Sequence, residues 1–169
     1  MMREEQTPEM KKLIRKMKRN FSFIEAWFFG GDFDKELKYI EREEELIKHF
    51  QGDLPEEIKE LHVGWLHQKS QIYSTRGDLA HGFKYANETL KFAQLYDNKR
   101  GISLGIHDLG WYYWLSGDLD KALVHIDRAI SLNRKGEPTS SINSLNKSSA
   151  IARSRNRILD FRRQALASR

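Results

Sequence analysis

The chain has 169 residues, of which 39% are hydrophobic, 31% charged and 11% aromatic, with three prolines and no cysteine. That is length for one ordinary domain with a buried core, and it excludes disordered, collagen-like, disulfide-stapled and cysteine-dependent classes. The net charge of +5 sits at the ends: residues 1–20 carry seven basic and three acidic groups, residues 139–169 seven and one, and residues 21–138 fifteen and twenty.

Thr7-Pro8-Glu9 is a helix start, with proline in the first turn and an acid near the positive end of the helix. The predicted helices then run over about 8–29, 33–50, 55–76, 79–95, 100–116 and 119–133. Asp53 with Pro55-Glu56-Glu57 opens the third in the same way. Arg134-Lys135-Gly136-Glu137-Pro138 closes the sixth. No segment carries the alternation and hairpin turns of strands, so the fold class is all-α.

Three of the joints are alike. Gly31-Asp32-Phe33, Gly77-Asp78-Leu79 and Gly117-Asp118-Leu119 lie 46 and then 40 residues apart. Glycine accepts the left-handed turn that ends one helix, and the aspartate caps the next. Counting from each glycine marks one helical stripe in the third unit, and the same positions can be read in the other two. In the third it is Leu109, Gly110, Tyr113, Ala122, Ile126 and Ala129. In the second it is Lys69, Ser70, Tyr73, Gly82, Ala86 and Thr89. In the first it is Phe23, Ile24, Trp27, Glu36, Ile40 and Glu43.

On these residues the chain resembles the tetratricopeptide repeat (TPR) family, in its longer, roughly forty-residue form; the third unit matches well, the second fairly and the first weakly. The resemblance covers about residues 10–135. It implies a right-handed superhelical solenoid of antiparallel helix pairs, with repeats at about 8–50, 55–95 and 100–135 in a single domain over 1–169. A HEAT-like helical array has overlapping periods and stays as the alternative fold. The family binds peptide or protein segments on its concave face and is not catalytic. A non-catalytic scaffold or adaptor is therefore the function it implies.

A terminal helix over about 139–168 follows the repeats. Apolar pairs recur in it every seven residues, at Ile151/Ala152, Ile158/Leu159 and Ala165/Leu166, and Arg153, Arg155, Arg157, Arg162 and Arg163 are expected to face outward. It reads as a polar cap on the solenoid, as a dimer seam, or as a repeat that is cut short.

The residues ten, six and three before each glycine form a second stripe, about 120° round from the core by helical geometry. They are Phe21, Glu25 and Phe28, then His67, Gln71 and Ser74, then His107, Trp111 and Trp114. The resemblance implies that this stripe lines the concave face, which makes it the candidate ligand groove, with the tryptophans as anchors. The six histidines show no HExxH or other metal spacing, and no metal or cofactor is expected. Gly101-Ile102-Ser103-Leu104-Gly105 lacks a P-loop lysine, and no GxSxG elbow is present. No catalytic residues are expected.

No stretch approaches the roughly 18 apolar residues of a membrane span, and Met1–Glu5 has no apolar signal core. A cytoplasmic protein without membrane contact is expected. Two other functions stay open: weak nucleic-acid or acidic-surface binding through the basic ends, and a homodimeric adaptor joined by the terminal helix.

Overall fold

The computed structural model describes residues 7–48, 50, 53–136 and 142–167, with the side chains of 25–29, 134–136, 142–152 and 165 set aside. Seven helices account for nearly all of it: α1 (Pro8–Gly30), α2 (Phe33–Lys48), α3 (Glu56–Thr75), α4 (Leu79–Leu95), α5 (Lys99–Leu115), α6 (Leu119–Gly136) and α7 (Ile142–Ala167). No strand occurs among the described residues. The predicted starts and ends fall within a few residues of these.

The joints are built as their chemistry demands. Gly31, Gly77 and Gly117 have φ of 77°, 74° and 86°, the left-handed turn that L side chains avoid. After each, the aspartate carboxylate accepts the backbone N–H three residues on: Lys35 on Asp32, His81 on Asp78 and Lys121 on Asp118. The amides of Asp78 and Asp118 also reach back to the carbonyls of Tyr73 and Tyr113, closing the preceding helix. The α4–α5 joint has no glycine. There Asp97 takes the positive φ, 51°, and Asn98 caps α5.

The chain separates into two compact units, residues 1–65 and 66–169. In the first, α1 packs on α2. Ile14, Met17 and Ile24 of α1, Leu37 and Ile40 of α2, and Ile58, Leu61, Val63 and Trp65 of α3 are buried. Glu36 and Glu43, at the stripe positions that Ala122 and Ala129 hold in the third unit, are buried too. Glu43 accepts from Asn20 Nδ2 at 2.7 Å. Glu36 has no hydrogen-bond partner among the described residues, and burial pushes its carboxyl from the ordinary 4.5 up to about 8.

A carboxyl raised in this way stabilises the fold in its protonated form. Its contribution is complete below the unfolded value and is lost as pH rises through the folded one. The melting temperature is therefore expected to fall from about pH 4.5 to about pH 8, and Glu36→Gln to flatten that slope. Thermal melts of both proteins across this range check it; parallel slopes would show that Glu36 does not hold its proton.

In the second unit α5 is the central element, packed against α4, α6 and α7. It is buried on more than one side, through Gly101, Ser103, Gly105, Ile106, Asp108, Leu109, Gly110 and Tyr112. Close approach explains two of its glycines. A Cβ at Gly105 would lie 2.7 Å from the backbone nitrogen of Leu90, and one at Gly110 2.9 Å from Ile126. Ile106, Ala122, Ile126, Ala129 and Ile158 form one fully buried cluster, so α7 contributes to the core through Ile158. Tyr112, Leu109 and Ala86 form a second.

Two sequence expectations change here. Tyr113, expected in the core stripe, is half-buried, and its neighbour Tyr112 fills the interior at 2% exposure. Leu166, one of the repeating apolar residues of the terminal helix, is exposed. Its other pair members Ile151, Ala152 and Ala165 lie outside the described side chains.

Candidate functional site

The second unit brings six of the nine stripe residues onto the facing sides of α3 and α5. His67, Gln71 and Ser74 recur at roughly one-turn spacing on α3; His107, Trp111 and Trp114 do so on α5. They are tied together by polar contacts. Trp111 Nε1–H donates to Ser74 Oγ at 3.0 Å, and the Trp111 and Trp114 rings meet edge to face at 4.5 Å. Trp114 also leans on the Ile106–Ile126 cluster, so part of its surface is spent on the core.

The residue that organises the others is Asp108, which no motif or repeat position in the sequence marks. It is fully buried. His67 Nδ1 lies 2.6 Å from Oδ2, and Gln71 Nε2–H donates to Oδ1 at 2.9 Å. His107 Nδ1 stands 3.5 Å from the same Oδ1. Burial alone would raise the Asp108 carboxyl. The charge of His67, hydrogen bonds from His107 and His67, and the charge of His107 together outweigh it and hold the group below the usual carboxylate range. An ionised acceptor at the floor of the groove fixes His67 with its proton on Nδ1 and orients the Gln71 amide.

The third wall comes from α7. Gln71, His107, Trp111, Arg153, Ser154 and Arg157 line an open cavity of about 260 Å³. Ser154 is buried, with Oγ 3.4 Å from His107 Nε2. Arg153 and Arg157 remain exposed, as expected of them, but both border the groove. No seven-residue apolar period could have placed them there.

The remaining stripe residues belong to the first unit. The Phe21 ring sits against Gly64, where an added Cβ would meet it at 2.9 Å. The side chains of Glu25 and Phe28 lie outside the described residues.

Asp108, His107 and Ser154 have the composition of a hydrolytic triad, but not its geometry. Both links, 3.5 Å and 3.4 Å, exceed the roughly 2.6–3.2 Å reach of an activated pair. Ser154 also sits inside α7, where neighbouring N–H groups are used by the helix and none is free as an oxyanion donor. No group of three side chains placed to hold a metal occurs among the described residues, and no described helix is long and apolar enough to cross a membrane.

Comparison with family models, with curated proteins and with solved structures gives no match.

Proposed function

We propose that the chain is a TPR-like solenoid of three helix pairs closed by a terminal helix, acting in the cytoplasm as a non-catalytic peptide-binding scaffold. The observation that carries the reading is the convergence of equivalent repeat positions on one groove: His67, Gln71 and Ser74 with His107, Trp111 and Trp114, beside an open cavity. A groove of this kind offers a rigid aromatic anchor and oriented polar groups. Those are the two things an extended peptide needs, one for a side chain and one for its backbone. In this reading Trp111 holds a partner side chain while His107 and Gln71 bond its backbone.

The basic tail is a poorer basis for nucleic-acid binding. Arg155 pairs with Asp127 at 2.6 Å, Arg162 with Asp120 at 3.1 Å and Arg163 with Asp160 at 3.3 Å, so much of its charge is answered within the protein.

The test is a peptide array probed with the wild type and with Trp111→Ala. Trp111 is only partly buried, so the variant should keep its helical spectrum. Peptides held by the wild type should lose about 2 kcal/mol or more of binding, the scale of an interface hot spot. An array on which both proteins bind the same peptides equally well would reject the groove.

A further inference from the structure

The five arginines of α7 divide into two sets. Arg155 and Arg162 reach acids on α6, and Arg163 reaches its own helix neighbour. Arg153 and Arg157 have no ion pair among the described residues. They are also the two that border the cavity, and their i, i+4 spacing points both guanidinium groups to one side of the helix. The nearby carboxylate, Asp108, cannot serve them: it is fully buried and its oxygens are engaged by His67 and Gln71.

Around these two charges stand further polar groups. The Gln71 amide, the Ser154 hydroxyl and the His107 ring share the cavity wall, with Trp111 as its apolar side. The volume, about 260 Å³, lies below the roughly 300–1,000 Å³ of sites for whole small molecules. It suits a single side chain. Arginine forks are matched to oxyanions, to which they donate paired charge-assisted bonds.

We propose that this cavity is an oxyanion subsite of the peptide groove. It takes a negatively charged side-chain group, carboxylate or phosphate, of the bound segment, and Arg153 and Arg157 hold the charge. The proposal rests on the groove reading above and gives the ligand its chemical class. It also gives α7 a second role, as the element that supplies the groove's cations.

Small capped residues test the subsite without any need to know the partner. The full chain would be titrated, at low salt, with N-acetyl-phosphoserine methylamide, N-acetyl-glutamate methylamide, N-acetyl-glutamine methylamide and inorganic phosphate. The indole N–H signal of Trp111 and the Nε–H signals of Arg153 and Arg157 would be followed by NMR. Saturable shifts are expected with one or both anionic residues, at an affinity about tenfold or more above that of the neutral glutamine probe. Added salt should weaken them. Whichever anionic probe responds names the source of the oxyanion.

Arg153→Gln combined with Arg157→Gln should abolish the response while leaving the melting temperature unchanged, since both side chains are exposed. Equal binding of the neutral probe, or an undiminished response in the double variant, would overturn the subsite. So would a response to inorganic phosphate alone, which would mark an adventitious ion only. None of these outcomes depends on the Trp111 array, so the subsite and the groove can fail separately.

Discussion

Tyr112→Ala is expected to destabilise the protein by about 3–5 kcal/mol, the range for emptying a large aromatic site in a packed core. In a chain of this length that is about 6–20 °C in melting temperature. Tyr112 is 2% exposed, lies over Gly82 of α4 and meets Phe83 edge to face at 6.1 Å. Its hydroxyl donates to the backbone carbonyl of Ser70 on α3. One side chain thus joins three helices, and alanine removes the ring and leaves an empty space beside a glycine that cannot fill it. Tyr113→Ala is the control. Tyr113 is half-buried, borders both core clusters and meets Phe83 at 5.3 Å and His125 at 5.0 Å, so its loss should cost less, about 1–2 kcal/mol. Denaturant melts of the two variants decide the order; a larger loss at Tyr113 would mean that the interior is arranged around the other ring.

That pair of residues shows where the sequence was legible. The Gly-Asp joints were, because a left-handed glycine followed by a capping carboxylate is local chemistry, complete within six residues. The small residues of the third unit were too: Gly110, Ala122 and Ala129 lie where helices approach closely, and larger groups there would collide. The choice between Tyr112 and Tyr113 was not. A stripe model gives a helix one buried face. α5 is packed against α4, α6 and α7 and is hydrogen-bonded to α3 as well, so its buried surface extends round to Tyr112 and Asp108. Which neighbours a helix will have is a long-range fact.

The groove divides in the same way. Equivalent repeat positions were enough to pick out His67, Gln71, His107 and Trp111 as residues sharing a surface. Nothing local separates Asp108 from the other helix carboxylates, because the partners that make burial tolerable lie 41 and 37 residues away. Arg153 and Arg157 were visible as charges, but their meaning depends on what α7 covers.

Asp108→Ala is expected to be nearly as damaging as the loss of Tyr112. It removes a fully buried carboxylate on which His67 and Gln71 converge, and leaves their donors facing an apolar gap. Breaking a buried charged pair from one side costs about 3–5 kcal/mol. Asp108→Asn is the gentler variant, since an amide can still accept one of the two hydrogen bonds, and it carries the pH test. The native carboxyl lies below its unfolded value. Its stabilisation is therefore present above about pH 4, the unfolded range of aspartate, and is lost as pH falls through the folded value. Asp108→Asn should melt lower than the wild type at neutral pH, and the gap should narrow steadily on acidification. A gap that stayed constant from neutral pH into the acid limb would mean that the charge on Asp108 contributes nothing, and that the residue holds α3 to α5 by shape alone.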